Sequence, residues 1–130
     1  MTSDDFNAIE TALEIELPGY YRDFMQNYPD ALLAEGFHAA GMELLNTAQR
    51  IIELNQQVQT SHDIDPGDSY FLIGESGCGG YYFIDPDEVD SPVYFWNHEI
   101  GEFDDDEESA SLPEHAGKLL DIYRDVRQER

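Results

Sequence analysis

The sequence predicts an α+β fold: a small antiparallel sheet with flanking helices, with residues 1–130 forming a single domain. Three short runs rich in aromatic and β-branched residues, 70–74, 81–84 and 92–96, follow one another closely. That composition suits the strands of a meander. The connections between them are glycine-rich (75–80) or acidic with a proline (85–91), which suits tight turns. On either side, apolar residues recur every three or four positions, the period of helices with one buried face. A chain of this length buries enough surface to fold without a disulfide or a metal.

The elements follow in order. Ser3 is placed to cap a first helix, with Asp4 and Asp5 in its electropositive first turn. Phe6, Ile9 and Leu13 share one face of it. Leu17-Pro18 separates it from a second helix, with Pro18 in the first turn. Its apolar stripe is Tyr20 or Tyr21, Phe24, Met25 and Tyr28. Asn27-Tyr28-Pro29 ends it, because the residue before a proline leaves the α region. Residues 31–35 fit a helix or an extended segment, and 42–45 read as a short strand. Thr47 caps a third helix, from 48 to about 58, with Ile51, Ile52, Leu54 and Val58 facing the core. Residues 60–68 are polar, with Pro66-Gly67 as a turn.

Beyond the meander comes EFDDDEE, residues 102–108. Adjacent like charges resist dense packing, so 104–108 is expected as a solvated loop. Ser111-Leu112-Pro113-Glu114 matches a capping box. It opens a last helix running from 112 towards 127, with Ala116, Leu119, Leu120, Tyr123 and Val126 buried.

Charge bounds the partners. The chain has 29 Asp+Glu against 6 Lys+Arg, a formal net charge of −23. Such a surface repels nucleic acid and anionic membranes and attracts basic proteins. With 8 Tyr, 7 Phe and 1 Trp, the chain has the aromatic content of a folded core rather than of a disordered acidic tail. Its single cysteine, Cys78, rules out an internal disulfide framework. The acidic N-terminus lacks the apolar stretch of a signal peptide, and no apolar run reaches the ~20 residues of a membrane helix. A cytoplasmic location is the expectation.

Motifs that would carry chemistry fail on inspection. Gly74-Glu75-Ser76-Gly77-Cys78 has cysteine where a nucleophile elbow needs glycine. Cys78 and His98 could form a thiol–imidazole pair, but the acidic surroundings disfavour the thiolate. Gly77-Cys78-Gly79-Gly80 lacks the lysine and the following helix of a phosphate cradle; its glycines suit a hairpin turn. A calcium loop starting at Asp63 would need glutamate where Gly74 stands. His38, His62, His98 and His115 lack metal-ligand spacing. The reading is therefore a non-enzyme without cofactor, metal or catalytic residues.

The order of these pieces resembles the SUKH superfamily, which comprises fungal cell-wall regulators and bacterial toxin-immunity proteins. The matching residues are Ile15-Glu16-Leu17-Pro18-Gly19-Tyr20-Tyr21, the strand and helix start at 42–47, Phe71-Leu72-Ile73-Gly74, Gly79-Gly80-Tyr81-Tyr82-Phe83-Ile84-Asp85, and Pro92-Val93-Tyr94-Phe95-Trp96-Asn97-His98. The resemblance implies an α+β domain that works by binding proteins, in bacterial relatives by neutralising a toxin effector domain.

Combined with the charge, it points to an immunity protein that occludes a basic toxin domain, such as a nuclease. A regulatory scaffold with a host partner is the alternative, and a Cys- or carboxylate-dependent enzyme the third. Strand alternation puts Tyr81 and Phe83 on one sheet face and Tyr82 and Ile84 on the other. Tyrosine anchors among charges are the make-up of a binding hot spot. The expected partner-binding residues are Glu75, Tyr81, Tyr82, Asp85, Asp87, Glu88, Asp90, Glu99, Glu102, Asp104, Asp105 and Asp106.

Overall fold

The first and last helices begin where a side chain meets their free N–H groups. In the computed structural model, which describes residues 2–28, 43–45, 47–60, 70–75, 80–88, 91–97, 99, 101–103 and 109–128, α1 spans Ser3–Leu13 and its cap is Thr2 rather than Ser3. A capping box needs a carboxylate three residues after the cap. Thr2 has Asp5 there, whereas Ser3 would have Phe6. The Asp5 carboxylate accepts the Thr2 N–H at 2.8 Å, and this bond holds its pKa below the usual range. Phe6, Ile9 and Leu13 are buried, as expected.

Helix α2 (Gly19–Gln26) starts one residue after Pro18, which stands at the N-cap. The Tyr20/Tyr21 ambiguity resolves in favour of Tyr21, fully buried with Met25. Its ring meets Phe71 edge-on at 5.3 Å. Glu10 ties α1 to α2 by accepting the Leu17 N–H at 2.9 Å and pairing with Arg22. Those two partners, the Leu17 N–H first, hold its pKa below the ordinary carboxylate value.

Helix α3 spans Ala48–Thr60, with Ile51, Leu54 and Val58 buried and Ile52 at the margin. Helix α4 spans Leu112–Gln128. Ser111 Oγ accepts the Glu114 N–H at 3.3 Å, while the Glu114 carboxylate reaches back to the Ala110 N–H. Leu112, Ala116 and Leu119 are buried; the Tyr123 and Val126 side chains lie outside the described set.

The sheet is a five-stranded antiparallel meander in the order β1 to β5. Its strands are β1 (Glu43–Leu44), β2 (Phe71–Glu75), β3 (Tyr81–Ile84), β4 (Tyr94–Asn97) and β5 (Glu102–Phe103). The expected core strands are present. Strand β5 corrects the sequence reading, which placed no strand after β4. Gly101 makes it possible: at φ +70° it closes the turn from Asn97, whose C=O accepts the Gly101 N–H at 2.9 Å. Phe103 then pairs with Trp96. The chain returns to β4 through a bridge between Val93 and Ser109.

Helices α2 and α4 pack together, and α1 packs on α3, which runs along β2. Asn55 of α3, 5% exposed, stands in for a strand at the β2 edge. Its Oδ1 accepts the Leu72 N–H at 2.9 Å and its Nδ2 donates to the Leu72 C=O at 3.1 Å. Without it, both groups would be buried and unpaired, at a cost of about 1–3 kcal/mol each. Strand β1 is too short to cover them, so the sheet ends on a side chain.

Candidate protein-binding site

Alternation along each strand and pairing between strands sort the sheet residues into two faces. On one, Phe71 pairs with Ile84 and Tyr82 with Phe95. Tyr82 packs on Phe95 at 5.3 Å and on His115 of α4 at 4.5 Å. On the other face, one row runs Glu75–Tyr81–Trp96–Phe103 and the next Leu72–Phe83–Tyr94. The register between β2 and β3 shifts at Ile73. That bulge puts Glu75, rather than Gly74, on the face of Leu72 and Tyr81. Gly80 precedes β3 because a Cβ there would come within 2.4 Å of the Phe95 ring.

The second face is strongly curled. Tyr70 and Phe103 start from opposite sides of β3 and β4, yet their rings are 4.7 Å apart. Phe103 also meets Phe83 at 5.6 Å, Trp96 at 5.3 Å and Tyr94 at 6.1 Å. Tyr70 meets Tyr94 at 5.7 Å. Phe83 and Trp96 are the floor, 1% and 5% exposed. Tyr70, Tyr81, Tyr94 and Phe103 are half-buried and form the outer layer.

The expected contact residues separate into distinct groups. Tyr82 is a core residue, 2% exposed, and so is no surface anchor. Tyr81 keeps a half-exposed ring on the aromatic face. Glu75 is half-buried and holds Arg50 of α3 at 3.3 Å. Asp85 is engaged by its own turn: its carboxylate accepts the Asp87 N–H at 2.9 Å, and its C=O accepts Tyr20 Oη–H at 3.3 Å. Burial, first among the causes, raises the Tyr20 pKa.

Asp87, Glu88, Glu99 and Glu102 are exposed. The meander puts Asp85, Asp87 and Glu88 at one end and Glu75, Glu99 and Glu102 at the other. Pairing with Asn97 turns Glu102 to the face of Tyr82. Asp90, Asp104, Asp105 and Asp106 lie outside the described residues, as do Cys78, His98 and the glycines at 77 and 79.

Sequence reasoning missed Tyr70, Tyr94 and Phe103. Alternation through Tyr94-Phe95-Trp96 carried the signal for Tyr94, and Phe103 is the one apolar residue between Glu102 and the acidic run. His115 was missed as a core group. It is 1% exposed, with Nδ1 at 3.4 Å from Ser109 Oγ and, among the described residues, no hydrogen-bond partner for Nε2. Burial, with a smaller contribution from Lys118, lowers its pKa to about 4. The Tyr21 hydroxyl is likewise buried without a hydrogen-bond partner among the described residues, and burial raises its pKa. Among the described residues no cluster of three His, Cys, Asp or Glu could hold a metal, and no helix is long and apolar enough to cross a membrane.

These features define a small α+β domain built on an open antiparallel sheet. The chain belongs to the SUKH family: the family model SUKH_6, described as SMI1-KNR4 cell-wall, matches residues 3–111. The match takes in α1 to α3 and the whole sheet and stops where α4 begins. Proteins of this family generally act by binding other proteins. No curated protein and no solved structure is significantly similar to the chain.

Proposed function

We infer that this protein is an immunity protein that binds a cognate toxin effector domain with a basic surface, such as a nuclease, and neutralises it by occlusion. The observation that carries the reading is the placement of exposed carboxylates at both ends of the meander, Asp87 and Glu88 at one and Glu99 and Glu102 at the other, on a chain of net charge −23. A nuclease holds phosphates with lysine and arginine. An acidic domain competes for that same surface and is steered to it electrostatically. Tyr81 and the half-buried rings beside it supply rigid contact area. Family membership supports a binding role and is silent on the partner's identity.

Co-expression with any toxin domain that a neighbouring gene encodes tests the reading. Protection of the cells and a stable complex are expected, with an association rate that falls steeply from low to physiological salt. A toxin that neither binds nor is neutralised would turn the reading towards a host partner.

A further inference from the structure

We propose that the outer surface of Tyr70, Tyr94 and Phe103, with Glu88 at its rim, is a receptor for an arginine side chain of the protein partner. The proposal deepens the binding role inferred above and rests on the partner being basic. Three observations lead to it. The three rings lie within 6.1 Å of one another, centre to centre, each is half-buried, and the fully buried Phe83 lies against Phe103 and pairs across the strands with Tyr94. The floor fixes the rings, so their outward surfaces are preorganised. Tyr94 Oη–H donates to Glu88 Oε2 at 3.4 Å, which places an exposed carboxylate at the ring edge.

The protein also builds this same arrangement internally. The Arg22 guanidinium sits 5.7 Å over the Phe6 ring while paired with Glu10. At the opposite end of the aromatic face, Glu75 already holds Arg50. Glu88 has no ion-pair partner among the described residues. Among the described residues, then, the carboxylate at one end of the face holds a cation and the carboxylate at the other holds none. A guanidinium fits better than an ammonium, because it stacks flat on rings and meets a carboxylate with two parallel N–H groups.

The test uses two synthetic peptides of equal length and charge, one with arginine and one with lysine. Binding is read from Trp96 fluorescence and from backbone amide shifts. Trp96 is the chain's single tryptophan and stacks edge-on to Phe103 at 5.3 Å. The arginine peptide should bind about 5- to 10-fold tighter than the lysine peptide, with the largest shifts at Tyr70, Tyr94 and Phe103. Glu88→Gln and Tyr94→Leu should each remove most of that preference. Glu88 is exposed, so its variant folds whatever becomes of the other.

Equal affinity for the two peptides would overturn the proposal, as would shifts centred on Glu99 and Glu102 or an undiminished preference in Glu88→Gln. Selective arginine binding here together with an unprotected toxin would keep the receptor and remove the immunity role. A toxin complex indifferent to both variants would remove the receptor and keep the role.

Discussion

The two faces of the sheet are both aromatic, yet they do different work. The Tyr82 face meets helices: Tyr82 stacks on His115 of α4, and Phe71 meets Tyr21 of α2. On the Tyr81 face, Phe103 packs on Tyr70 and on Phe83. A ring that packs on a helix loses its water entirely. On the Tyr81 face the outer rings of Tyr70, Tyr81, Tyr94 and Phe103 stay partly wet. The first face therefore stabilises the fold, and the second has surface left with which to bind.

The sharpest way to break this contrast is a pair of truncations. Tyr82→Ala should cost about 3–5 kcal/mol in chemical denaturation, the range for a fully buried aromatic. Tyr81→Ala should cost well under half of that and act mainly on partner affinity. Equal losses of stability would mean that both faces are core.

A second test concerns pH. The unfolded chain protonates His115 near its ordinary value of 6.5, whereas the folded chain resists until about 4. As pH falls through that window the unfolded state takes up the proton first, so stability drops, by up to about 3 kcal/mol for the full shift. Above 6.5 the imidazole is neutral in both states and contributes no slope. His115→Phe keeps a ring against Tyr82 and should flatten the wild-type curve between pH 6.5 and 4. The carboxylates of Asp5 and Glu10, held low by their hydrogen bonds, add their own loss at the acid end in both proteins. An unchanged slope in the variant would show that the pH dependence of the buried face arises elsewhere.

The smallest expected effect lies on the wet face. Glu75→Gln breaks a part-exposed pair with Arg50 and should change stability by less than about 1 kcal/mol. A larger loss would show that the Glu75 end of the face is fastened rather than merely neutralised.

Much of this fold was legible in the residues. Phe6, Ile9 and Leu13 declared α1 by spacing, and alternation in Tyr81-Tyr82-Phe83-Ile84 divided the faces correctly. The capping box at Ser111 and Glu114 opened the last helix where expected. Less of the site was legible. Tyr82 and Tyr81 are chemically alike and adjacent, so composition gave both the same prospect of exposure. Phe103 was hidden because a two-residue strand has too few positions to display a period. Nothing in the sequence marked His115 and Asn55 as buried, because their partners, Tyr82 with Ser109 and the Leu72 backbone, are distant or carry no side-chain signal.

By itself, then, the sequence determined the α+β class, the strands of the central meander, the helix stripes and the acidic character, all of which depend on local period and charge. The tertiary structure decided which face the helices cover. It also set the Ile73 bulge that turns Glu75 towards Tyr81, the use of Asn55 in place of a strand, and the packing of Phe103 on both Tyr70 and Phe83. Each of these rests on contacts between segments far apart in the chain. Period 2 says which residues share a face, and only packing says which face keeps its water.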